Sequence, residues 1–189
     1  MFLLPSDVCI RDLMFEATGA ANAWFGADLD RRDIYLGYAG YLMDFMFISW
    51  AVYWWWRFDS HRIIFTLLIF YPTRSLVQNN LCLMGRPEGF LFYDPGIFSI
   101  TTNYFDTNDF YYSGHIGSCV MFVSEWYALG KKWMLCAVSF IMFNEWLMLT
   151  ILRVHYLIDF TSGIALAIIY FKLGEKLDYF ADVLVVGSP

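Results

Sequence analysis

The sequence predicts an all-α protein, a polytopic bundle of about five transmembrane helices, and three observations carry that prediction. Apolar residues make up 59% of the 189-residue chain and charged residues only 16%, a balance too apolar for an ordinary soluble domain. Aromatic residues reach 21%, an excess of the kind that membrane–water interfaces draw on. Apolar runs of about 20 residues, enough to cross ~30 Å of hydrocarbon at ~1.5 Å per residue, recur between short polar turns.

The first run is Ile34 to Trp56, closed by the aromatic belt Trp54, Trp55 and Trp56. The turn from Arg57 to Arg62 leads into a second run, Ile63 to about Met84, interrupted by Pro72, Arg74, Gln78, Asn79 and Asn80. Such a helix should be kinked and face protein rather than lipid. Residues Arg86 to Tyr112 form the one long loop, rich in Gly, Pro, Asn and Asp, and are expected to cover the bundle as a lid or re-entrant segment. A third span follows from about Ser113 to Gly130, and the Lys131-Lys132 turn leads into a fourth, Trp133 to Leu152. The fifth runs from about Tyr156 to Phe171. The organisation expected is an interfacial or docking segment over residues 1–33, a membrane domain over 34–173 and a short charged tail over 174–189. Within the first of these, Ile10 to Ala27 carries Arg11, Asp12 and Glu16, which favours an interfacial helix over a sixth span. Pro5, Asp7 and Arg11 break up the apolar start, so a cleaved signal peptide is not expected.

The formal net charge is −6 and no basic stripe is present, which argues against nucleic acid as a partner. Cys9, Cys82, Cys119 and Cys136 lack metal-ligand spacing and read as buried free thiols. Asp44, Glu125 and Glu145 fall inside spans; pairing with Arg74, Arg86 or Asn144 to hold the bundle together is the expected role.

Chemistry is concentrated in two polar strings set into apolar sequence: Asp109-Phe-Tyr-Tyr-Ser113-Gly114-His115, and Arg153-Val-His155-Tyr156-Leu-Ile-Asp159. Ionisable groups beside hydrocarbon are costly and mark functional sites by default. Because the third and fourth spans form a hairpin, the start of the third, the end of the fourth and the start of the fifth share one membrane level. His115, Arg153, His155 and Asp159 are therefore expected to converge. Residues four apart on a helix share a face, so Asp159 can accept the ring N–H of His155 and raise its basicity. Two opposed histidines suit in-line displacement at phosphorus, one attacking while the other protonates the departing oxygen. Arg153 would supply a planar fork for the equatorial oxygens, and Arg74, too deep to snorkel, is expected to bind an anion or pair with a buried carboxylate.

These motifs resemble the type 2 phosphatidic acid phosphatase superfamily: Ser113-Gly114-His115 is similar to its second signature and His155-x-x-x-Asp159 to its third. Asp109, six residues before the first histidine, and Arg-x-His-Tyr-x-Ile-Asp around the second resemble the sphingomyelin synthase branch more closely. Tyr71-Pro72-Thr73-Arg74 loosely matches that branch's upstream motif. The phosphatase branch has Lys-x6-Arg-Pro as its first motif; here Arg86-Pro87 is present with Asn79 at the lysine position, and Leu149 stands where that branch has a further arginine. The resemblance covers about Arg57 to Phe171. It implies a metal-independent lipid phosphotransferase without cofactor, moving a phosphorylated headgroup such as phosphocholine from a phospholipid donor to a lipid alcohol acceptor through a phosphohistidine. His115, His155 and Asp159 would be catalytic; Arg153, Arg74, Arg86, Ser113 and Gly114 would bind phosphate, with Asp109 and Tyr156 in support. A lipid phosphatase is the near alternative. A catalytically silent structural subunit of a larger membrane complex, or a homo-oligomer, is another reading. A bis-histidine haem protein is a third, but it explains neither Arg153 nor Asp159.

Arg57, Arg62, Lys131, Lys132, Lys172 and Lys176 fall on one face of a five-span topology, against Arg31, Arg32, Arg86 and Arg153 on the other. The positive-inside rule then puts the histidines on the non-cytosolic side. The expected home is the endoplasmic reticulum or Golgi membrane, with the mitochondrial inner membrane as the alternative.

Overall fold

A computed structural model describes residues 12–58, 60–80, 86–102, 104 and 111–186. Cys9, Cys82 and Asp109 lie outside the described residues. Those described are helical with no strand: α1 (Leu13–Ala17), α2 (Gly19–Gly26), α3 (Leu29–Arg57), α4 (Arg62–Asn80), α5 (Gly114–Ala128), α6 (Lys132–Ile151) and α7 (Leu157–Val186). Two of them, α6 and α7 over Lys132–Ile151 and Leu157–Leu184, are long and apolar enough to cross a membrane.

Helix α5 is central and packs against α4, α6 and α7, while α3 lies on α6 and α4 on α7. The core is apolar, but Asp44, Glu125, Glu145, Asp159 and His155 are buried with it, whereas Phe45, Val52, Trp55, Trp133, Phe140 and Ile169 are exposed. Exposed apolar patches of this kind mark interaction surfaces, for protein or for membrane.

The element ends have local causes. The Asp28 side chain accepts from the Arg31 amide and starts α3, which closes at Phe58 in the left-handed region (φ 49°). Asp178 of α7 holds the turn that follows, accepting from the Ser60 hydroxyl at 3.1 Å and the His61 amide at 2.9 Å. Within the segment expected as a charged tail, the last helix continues to Val186, and this extension clamps the α3–α4 turn. Pro72 lies inside α4, where it removes one ladder donor, and the Thr73 hydroxyl donates to the neighbouring carbonyls of Ile69 and Phe70.

Ahead of α3, the short helices α1 and α2 pack against α3 and α6. Asn22 fastens them, its Nδ2 donating to the carbonyls of Gly89 (2.9 Å) and Ile151 (2.8 Å). The long loop folds back along α3. Gly37 and Gly40 leave room for Ile97 and the Tyr104 hydroxyl, and a Cβ at either position would collide with them. Tyr104 donates to the Leu36 carbonyl at 3.0 Å; burial pushes its phenol well above the usual range, so the hydroxyl stays protonated and able to donate. Further along the same face, Asp44 accepts from the hydroxyls of Ser99 and Thr101 and the amides of Ile100 and Thr101.

Candidate active site

The site is assembled where α5 and α7 begin. Ser113, fully buried, caps α5 by accepting from the Ile116 amide at 3.4 Å. Its own amide donates to the Asp159 carbonyl at 3.0 Å, which ties the start of α5 to the first turn of α7. A glycine permits the approach: a Cβ on Gly163 would stand 2.9 Å from the Ser113 carbonyl oxygen. His115, the second residue of α5, turns its ring edge to Phe92 of the loop at 6.2 Å. Its Nε2 is buried and has no hydrogen-bond partner among the described residues.

His155 is 3% exposed, and its Nδ1 lies 3.3 Å from Oδ2 of the fully buried Asp159. The expected carboxylate–histidine pair thus forms, but from a different starting point. His155 is not on the helix; it precedes α7 in an irregular stretch, and Asp159 reaches back to it from the first turn. The same Oδ2 accepts the Tyr156 amide at 3.0 Å, half of a capping box in which a side chain in the first turn satisfies an amide ahead of the helix. Tyr156 contributes this amide, while its ring packs on Phe15 at 5.5 Å.

Arg74 comes from the last third of α4. Its Nε donates to the Tyr112 carbonyl at 3.0 Å, and its guanidinium carbon lies 3.0 Å from where a Cβ of Gly114 would be. Any side chain at Gly114 would displace it. Arg74 thus lies beside the start of α5, and the Ser113 amide ties that start to Asp159, so Ser113, Gly114, His115 and Arg74 share the end of the bundle where His155 and Asp159 pair. Beneath them sits an apolar cluster that includes Ile116, Met148, Leu149, Leu152, Val154 and Phe160.

Arg153 is employed differently from the expected phosphoryl fork. Its backbone is left-handed (φ 54°), and its guanidinium donates to the carbonyls of Glu88 (2.7 Å) and Phe15 (3.3 Å) while lying over the Phe15 ring. A guanidinium shared between two backbone carbonyls joins α1 to the loop. Arg86 sits on the loop with its guanidinium 5.3 Å from the Phe90 ring centre.

The other buried acids also depart from expectation. Glu125 pairs with Arg62 at 3.1 Å, and Asp44 holds the loop. Glu145 is fully buried, and neither carboxylate oxygen has a hydrogen-bond partner among the described residues. Of the cysteines, Cys119 is free and buried as expected, but Cys136 is free on the outer surface of α6.

Sequence reasoning missed three contributors. Asp12 caps α1 by accepting from the Met14 amide (2.9 Å), and its other oxygen accepts from the Leu157 amide at the start of α7 (2.7 Å). An acid just ahead of an apolar stretch is an N-cap signal for the first bond; nothing local announces the second. Phe92 and Gly163 act through long-range contacts alone.

No protein-family model, curated protein or solved structure matches the chain.

Proposed function

We propose that the protein is a lipid phosphotransferase of the type 2 phosphatidic acid phosphatase kind, a five-span membrane bundle that transfers a phosphorylated headgroup between lipid alcohols. The observation that carries this reading is the His155–Asp159 pair at 3.3 Å, tied through the Asp159 carbonyl and the Ser113 amide to the helix start that carries His115 and that Arg74 packs on. Exposed apolar side chains along α3, α6 and α7 support the membrane setting.

With the His155 Nδ1–H directed at Asp159, the lone pair for attack is on Nε2. In the first half-reaction Nε2 bonds to phosphorus, the bond from phosphorus to the glycerolipid oxygen breaks, and His115 gives that oxygen a proton. In the second, His115 takes the proton of the acceptor hydroxyl, its oxygen bonds to phosphorus and the P–N bond breaks. Arg74 provides the positive charge for the equatorial oxygens in place of Arg153. Water as acceptor would give hydrolysis by the same steps.

Incubating purified protein with a headgroup-labelled phospholipid, with and without diacylglycerol or ceramide, tests this. Labelled product should appear only with the acceptor, persist in EDTA and vanish in His155→Ala. Undiminished transfer by His155→Ala would overturn the assignment. Silence with every donor and acceptor would favour a structural descendant, a reading supported by Arg153 joining α1 to the loop and by Asp159 doubling as a helix cap. The non-cytosolic placement of the histidines, and an endoplasmic reticulum or Golgi location, belong to the same proposal.

A further inference from the structure

The end of the molecule remote from the histidines carries a second feature. Helix α3 borders an open apolar groove of about 510 Å³, and Ile48, Ala51, Val52, Trp55 and Trp56 form a shallow apolar depression on its own surface that shares Val52 and Trp56 with the groove. The groove runs from Phe45 to Arg57 against Trp126 of α5 and Trp133 of α6. At ~1.5 Å per helical residue that is about 18 Å, close to one leaflet of a ~30 Å hydrocarbon layer. The back wall is closed, with Trp126 fully buried, and the rim is open, with Trp56 82% and Trp133 72% exposed.

The mouth is basic. Arg57 lines it, and Lys131 places its Nζ 5.7 Å from the ring centre of Tyr53, another wall of the same groove. Lys132 follows at the start of α6. Arg62 nearby is spent on Glu125. An apolar groove about one leaflet long that opens on adjacent cations matches an acyl chain and a negatively charged phosphate headgroup, and basic pockets between membrane helices bind such headgroups.

We propose that this flank of α3 is a binding site for one anionic phospholipid, an acyl chain lying along the groove against Trp126 and Trp133 and its phosphate at the mouth beside Lys131 and Arg57. The inference rests on the reading that α3 spans the membrane and is independent of any catalysis.

The test uses the full chain in nanodiscs containing brominated phosphatidylglycerol or brominated phosphatidylcholine, with tryptophan emission as readout. Quenching should favour the anionic lipid by about five-fold for each basic residue, the equivalent of the ~1 kcal/mol that one such charge contributes at an anionic surface. Arg57→Ala with Lys131→Ala should abolish the preference, while Arg57→Lys with Lys131→Arg should keep it, which separates charge from folding. Equal quenching of the wild type by both lipids, or a preference that survives the alanine pair, would overturn the lipid site and leave the five-span reading standing. Quenching by neither lipid would overturn both.

Discussion

Asp12 Oδ2 accepts a 2.7 Å hydrogen bond from the backbone N–H of Leu157, the first residue of α7. A side chain at the start of the described chain thereby satisfies an amide that the last helix leaves open, two residues from His155. Asp12→Ala removes this cap and the one on α1. It should cost about 1–2 kcal/mol by the usual worth of such caps and lower headgroup transfer by loosening His155. Urea unfolding beside a transfer assay checks both; unchanged stability would show that the caps are replaced by solvent.

The two arginines of the site region should separate cleanly. Arg74→Lys keeps the charge but loses the fork beside Gly114, and should reduce kcat by roughly 10²-fold, as removal of a transition-state donor does. Arg153→Ala should leave turnover per folded molecule within a few-fold and lower Tm instead, by about 2–4 °C for each kcal/mol lost in a chain of this length. The reverse pattern would restore Arg153 as the phosphoryl clamp.

Asp44 holds the long loop through amides and hydroxyls of Ser99, Ile100 and Thr101. Hydrogen bonds to a charged acceptor are worth ~1.5–3 kcal/mol each. Asp44→Ala should therefore speed proteolysis between Leu91 and Tyr104 by about ten-fold or more, with the helices left intact. Mapping of the early cleavage sites by mass spectrometry is the measurement.

Glu145 contributes no hydrogen bond among the described residues and is fully buried. Replacing an unpartnered buried acid with an apolar side chain of similar size removes a desolvation cost. Glu145→Met should raise stability by about 1–2 kcal/mol, read as a higher Tm; destabilisation would show that a partner holds the carboxylate in the membrane.

The helical class was legible before any coordinates. Of the five expected spans, the last two are helices long and apolar enough to cross a membrane, because a run of about 20 apolar residues is a length signal that needs no partner. The pairing of His155 with Asp159 was legible from i, i+4 spacing, although the pair forms across a helix start rather than along a helix. Motif alone picked out Ser113 and Gly114, and what the structure adds is that Ser113 caps α5 and Gly114 leaves room for Arg74.

What only tertiary structure decided is who answers whom over long separations. Both arginines carry the same chemistry in the sequence, yet Arg74 comes to lie beside Gly114 because α4 packs on α5 and α7, while Arg153, two residues from His155, turns its guanidinium to the carbonyls of Glu88 and Phe15. Asp12 and Gly163 gain their roles only from the approach of α7 to the chain start and to Ser113. Residue type and spacing determine local helices and their caps. The direction of a flexible cation, and the carbonyl or phosphate it meets, depends on which backbone groups packing leaves within its reach.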